Sequence, residues 1–283
     1  MMTTSTSVRP SPIAGTWYSA DSEQLRKTLD NYIEKADLPN LPGEIVALVA
    51  PHAGYRYSGP VAGHAFRAVR GKSYDTVAVL SPMHQYTPQP LLTSSHHAYQ
   101  TPLGEIPIDK DLLAVVNMQL EQQTNLRLHP VAYDKEHSLE IELPFLQRAL
   151  VGDFTLLPIM LRDQSRHTSR ILGGILAEVL KDSSALLVAS SDLSHFYPES
   201  MANQLDNQVL NALADFSPDG LFDLKEQGCG QACGLAAIAA ILWASKDLGA
   251  TDVTLLNYNT SAAVTGDRSS VVGYGAAAIT RPV

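Results

Sequence analysis

Three short apolar runs in this chain stop in the same way. Glu44–Ala50 (EIVALVA) ends at Pro51-His52. Residues 76–80 (TVAVL) end at Ser81-Pro82-Met83-His84. Ala185–Ser190 (ALLVAS) ends at Ser191-Asp192-Leu193-Ser194-His195. A fourth run, 154–161 (FTLLPIML), precedes another polar stretch. Such runs are nearly continuous rather than alternating, which suits strands buried on both faces. Segments 253–258 and 270–279 are the remaining strand candidates. Helical apolar patterns separate the runs, at 60–70, 138–150, 165–181, 199–216 and 231–248. A further helix starts at Asp21, an N-cap with Gln24 three residues on. Its stripe is Leu25, Leu29, Tyr32, Ile33 and Ala36. Strands alternating with helices specify an α/β fold, here one domain with a central, mostly parallel or mixed sheet flanked by helices. Residues 9–283 form that domain, and residues 1–8 are expected to be a flexible tail.

Composition fits a large core. Apolar residues are 45% and charged residues 17%, where soluble domains average about 25% charged. Lys plus Arg is 20 against 29 Asp plus Glu, a net charge of −9, which disfavours nucleic acid as a partner. The longest nearly apolar run, 235–244, is about half of the ~20 residues a membrane helix needs. The N-terminus has no apolar signal region. A soluble, cytoplasmic protein without a membrane partner is expected. Two Cys exclude a disulfide scaffold and a four-thiolate zinc site, whereas nine His point to imidazole for any metal.

In open α/β sheets, ligands bind outside the carboxyl ends of the strands. His52, His84 and His195 fall there together, so one shared site is expected. Neutral imidazole suits Zn, Fe or Cu. Asp192 and His195 form Asp-x-x-His, in which a carboxylate can hold an imidazole for acid/base work. His137 and Glu140, at i and i+3, would share one helical face, with Pro144 kinking or interrupting that helix. Cys233 at the start of helix 231–248 would have its thiol pKa lowered by the helix N-terminus. Cys229, four residues earlier, could form a redox pair with it. His64 is read as packing, and His96, His97, His129 and His167 as surface. Trp17 is read as core; Tyr18, Tyr55 and Tyr57 could be core or pocket wall. The chain shows no phosphate-binding glycine motif and no Gly-x-Ser-x-Gly elbow.

Seven motifs then occur in order: Ile13-Ala14-Gly15-Thr16-Trp17-Tyr18, Ala50-Pro51-His52-Ala53-Gly54-Tyr55, Ser81-Pro82-Met83-His84, Thr101-Pro102-Leu103-Gly104, Glu136-His137-Ser138-Leu139-Glu140, Ser190-Ser191-Asp192-Leu193-Ser194-His195 and Ala232-Cys233-Gly234. With these the chain resembles the Memo family, whose prokaryotic members are called AmmeMemoRadiSam system protein B. The family is similar in fold to the class III extradiol (LigB-like) dioxygenases. The resemblance implies His52, His84 and Cys233 as metal ligands, with Fe(II) first and Cu or Zn as alternatives. It implies His195 with Asp192 as the acid/base group of the same pocket, and His137 and Glu140 near it. Thiolate where the dioxygenases use carboxylate, and Met83 and Gln85 beside the second ligand, are departures, so dioxygenase activity does not follow from the fold. The reading is a metal-dependent redox enzyme acting on a small molecule or peptide. The alternative is a non-catalytic peptide- or metal-binding module, and a zinc hydrolase is a third reading. The family name also implies functional association with an AMMECR1-like protein and a radical-SAM protein.

Overall fold

A computed structural model describes residues 8–283. Its strands are β1 (Val8–Arg9), β2 (Glu44–Ala50), β3 (Thr76–Pro82), β4 (Leu91–Ser94), β5 (Ala98–Thr101), β6 (Gly104–Pro107), β7 (Leu128–Val131), β8 (Thr155–Leu161), β9 (Ala185–Ser190), β10 (His195–Tyr197), β11 (Asp252–Thr260) and β12 (Val271–Arg281). Its helices are α1 (Ser22–Lys35), α2 (Tyr55–Ala68), α3 (Lys110–Gln123), α4 (Leu143–Ala149), α5 (Arg166–Leu180), α6 (Glu199–Ala214), α7 (Pro218–Glu226), α8 (Leu235–Asp247) and α9 (Ala262–Thr265).

The main sheet runs β10-β12-β2-β9-β3-β8-β4-β7, with β11 also paired to β12. Its centre, β2-β9-β3-β8, is parallel, and β12 joins β2 antiparallel. This is the mixed α/β sheet expected. Every residue of β3, and all but the first of β2, β8 and β9, is buried. Helix α8 covers β2, β3 and β9, while α2 packs on β2, β11 and β12. Residues Leu235 to Ser245 of α8 are all buried, as a helix apolar all round must be. Helix α5 packs on it at Gly173, where a Cβ would come within 2.6 Å of the Ala240 carbonyl oxygen.

Some boundaries differ from expectation, each for a local reason. Helix α2 begins at Tyr55, not at 60, because Tyr57 and Ser58 N–H already bond the Gly54 carbonyl and the first turn precedes Pro60. Over 138–150 there is a 3₁₀ turn, Glu140–Glu142, and then α4 with Pro144 in its first turn; proline is tolerated there because no N–H is needed. Helix α8 starts at Leu235, so the glycine-rich segment before it, with Cys229 and Cys233, stays a loop. Of the expected tail, residues 1–7 lie outside the described residues, and Val8 pairs with Ala98 as part of a three-stranded sheet. Asp21 caps α1 by accepting from Gln24 N–H at 2.7 Å. Among the described residues, no helix is long and apolar enough to cross a membrane.

Candidate metal centre

Register levels the strand ends. Ala50 on β2 lies opposite Ser190 on β9, and Leu80 on β3 opposite Ala189. The chain leaves each strand by a short turn, which brings His52, His84 and Asp192 to one rim. The loop before α8 brings Cys233 to the same place. A potential ligand atom of His52, of His84 and of Cys233 all lie within 4.8 Å of one another. Cys233 Sγ is 3.1 Å from His52 Nε2. Gly234 allows this approach, since a Cβ there would sit 2.4 Å from the Ser190 carbonyl oxygen.

Each imidazole is oriented by its other nitrogen. His52 Nδ1 is 2.9 Å from Ser190 Oγ, and burial lowers the His52 pKa well below its ordinary value, with His137 and His84 adding to the effect. His84 Nδ1 is 2.9 Å from Glu136 Oε1. Glu136 also accepts from the backbone N–H of His84, His137 and Ser138. Burial opposes its ionisation, but those bonds and the His84 side chain outweigh burial and hold it below the ordinary carboxylate range. Metal-binding histidines use the same device: a partner on one nitrogen fixes the tautomer and aims the other. His84, Glu136 and His137 form a second cluster of donor atoms, but Glu136 Oε1 already accepts three bonds and has little left for a cation.

Cys233 departs from expectation. Its thiol pKa is raised, not lowered, by burial and then by Asp192, against hydrogen bonds from the Asp192 N–H, Ser191 and the Gly234 N–H. It precedes α8 rather than lying in its first turn, so the dipole advantage is lost. A buried thiol of this kind becomes a thiolate when a cation sits beside it. The donor set of two neutral imidazoles and one such thiol fits a first-row transition metal.

Asp192 and His195 both face the site but do not hold each other as expected. Asp192 Oδ1 accepts from the His52 N–H at 2.8 Å. Burial pushes its pKa up to about 7, against bonds from the His52 and Ala53 N–H. Burial lowers the His195 pKa, with the Leu193 backbone opposing. His137 and Glu140 separate, because the chain there is a turn and not a regular helix. His137 stacks on His84 with ring centroids 4.8 Å apart and on Trp17 at 4.1 Å. Burial lowers its pKa to about 4, Glu136 opposing and His84 adding. Glu140 turns away, fully buried, to Arg9, Ser11 and Tyr18.

A cavity of about 480 Å³ opens over the centre, lined by His52, His84, His137, Asp192 and His195, with Trp17, Tyr57 and Tyr274 as aromatic walls. Trp17 is therefore pocket wall rather than core, while Tyr55 is core and donates to the Ile141 carbonyl. A second cavity of about 600 Å³ is lined by Cys233, His84 and His195. His96 is fully buried, not at the surface. Glu136, Ser190 and Arg9 were not singled out by sequence reasoning. The available signal for Glu136 was its place beside His137, and for Ser190 its place at the end of a strand with Asp192 two residues on.

The family model for Memo-like protein matches residues 9–278. A MEMO1 family protein of Nitrosopumilus maritimus is 31% identical over 274 residues, covering 95% of this chain and 98% of that protein. One from Methanococcoides burtonii is 35% identical over 271 residues, with 95% and 98% covered. An uncharacterized protein of Escherichia coli K12 shares the fold, with a TM-score of 0.55, 14% identity, and 83% of this chain and 99% of that chain covered.

Proposed function

The chain belongs to the Memo family, and from that premise we propose that it is a metal-dependent redox enzyme. One transition-metal ion, Fe(II) in first place and Cu or Zn as alternatives, is held by His52, His84 and Cys233. The observation that carries the reading is their convergence within 4.8 Å, with each imidazole's Nδ1 engaged at 2.9 Å. When bound, such a metal would supply redox and Lewis-acid chemistry. The chain's own residues do the rest. Trp17, Tyr57 and Tyr274 form the apolar wall that excludes water from a small organic or peptide substrate. His195, kept neutral by burial, accepts a substrate proton on its imidazole ring. Asp192 fixes the turn that presents His52. His137 fills the space between His84 and Trp17.

The test is anaerobic purification with metal quantification. Wild type carries about one iron per chain, and His52→Ala and Cys233→Ser each lose it. Unchanged metal content in both variants overturns the ligand assignment. Oxygen consumption by the iron-loaded protein with catechols and related phenols then tests turnover. No consumption under any condition favours the binding-module reading. Zinc as purified, with cleavage of an amide or ester, favours a hydrolase.

A further inference from the structure

The contacts of Ser190 can be counted proton by proton. Its Oγ lies 2.6 Å from the Ser138 carbonyl oxygen, 2.7 Å from Glu142 Oε1 and 2.9 Å from His52 Nδ1. A backbone carbonyl only accepts, so the single hydroxyl proton of Ser190 points to Ser138. Two lone pairs remain on Oγ, and the two remaining partners must donate to them. His52 donates from Nδ1–H. Glu142 can donate only as a neutral carboxylic acid.

Two observations agree with this count. Glu142 is 0% exposed, and its second oxygen, Oε2, is buried without a hydrogen-bond partner among the described residues. An ionised carboxylate would bear a far larger desolvation penalty there than a neutral acid. Burial also pushes its pKa well above the ordinary carboxylate range, with the nearby Asp192 adding.

We propose that Glu142 is a positioning residue of the metal centre: a neutral buried acid that pins Ser190 and, through it, the His52 ring. With three partners Ser190 has one rotamer, and its free lone pair faces His52 Nδ1–H. The ring is then held as the Nδ1–H tautomer, with its Nε2 lone pair turned toward Cys233. The importance of that lone pair rests on the metal-binding reading above. The neutral state keeps a further negative charge away from the ligands.

The experiment uses chelator-treated full-length protein, so it decides the proposal whether or not metal is bound. Infrared difference spectra of wild type against Glu142→Gln show the carbonyl stretch of a protonated acid at neutral pH. Long-range ¹H–¹⁵N spectra show one His52 tautomer, protonated at Nδ1, in wild type and in Glu142→Gln, whose amide still donates. Glu142→Leu and Ser190→Ala show mixed tautomers or a mobile ring. Cobalt(II) titration then finds Glu142→Leu at least about 10-fold weaker than Glu142→Gln, the size of effect typical of residues that orient a metal ligand. A carboxylate band in wild type, or an unchanged His52 tautomer in both Glu142→Leu and Ser190→Ala, overturns the proposal. If Glu142→Leu does not fold, Ser190→Ala carries the same decision.

Discussion

His52 and His84 stand at equivalent places, each two residues past a parallel strand, yet they are secured in opposite ways. His52 is 2% exposed and leans on Ser190, at the end of a strand inside the sheet. The side chain of His84 is 38% exposed and leans on the ionised Glu136. That carboxylate is itself buried, but three backbone N–H groups converge on it. Its segment is clamped by Arg9, 1% exposed, which binds Asp134, Glu140 and the Glu136 carbonyl. The difference shows where a buried charge can be kept. Ser190 is the last residue of β9, inside the sheet, and the partner it offers His52 is a hydroxyl. Around Glu136 the N–H groups of His137 and Ser138 and that of His84 are free to converge, so the partner is an anion.

The largest expected effect breaks the loop side alone. Arg9→Met leaves Asp134 and Glu140 buried without their cation and costs about 3–5 kcal/mol, read as a fall in the urea midpoint. A loss under about 1 kcal/mol would mean that the 134–140 segment supports itself. Next, Glu136→Gln replaces the ionised acceptor of His84 and weakens cobalt(II) binding by about 10–100-fold, as measured by titration. An unchanged affinity would remove His84 from the ligand set.

The same residue gives a pH test. Because the folded-state pKa of Glu136 is depressed, its contribution to stability is complete above the ordinary carboxylate range, about pH 4.5, and drains away as pH falls below it. Wild type therefore loses more stability than Glu136→Gln between pH 5 and pH 3. Parallel curves for the two proteins would refute the assignment of charge to Glu136. The smallest effect is at the wall. Trp17→Leu removes the stacking on His137, worth about 0.5–1.5 kcal/mol beyond burial, and leaves metal content unchanged. Loss of metal from that variant would make Trp17 part of the support of the centre.

Those contrasts also mark what the sequence made readable. The buried parallel strands were legible because a strand covered on both faces is written as a continuous apolar run, and His52, His84 and Asp192 follow such runs directly. The short strands β4 to β7 were not, since four residues such as Gly104-Glu105-Ile106-Pro107 carry little pattern. Helix α3 was missed because only Leu113, Val116 and Leu120 are buried in it. His96 looked exposed among polar neighbours, yet it is buried at the end of β4, in a place set by the sheet and not by its neighbours. Glu136 and Ser190 were hidden for a related reason. Their roles depend on backbone donors and carbonyls from distant segments, which no local spacing records. The separation of His137 and Glu140 shows the converse error: an i, i+3 spacing means one face only where the chain is a regular helix.

The His52–Cys233 contact joins residues 181 positions apart. Contacts of such separation carry the loop-closure cost of the chain between them, and non-local contacts of this kind slow folding. A nascent chain that has exposed everything up to α7 already carries both imidazoles but not the thiol. The site therefore cannot assemble until the chain has been made at least as far as Cys233 and the segment between it and His52 has folded back.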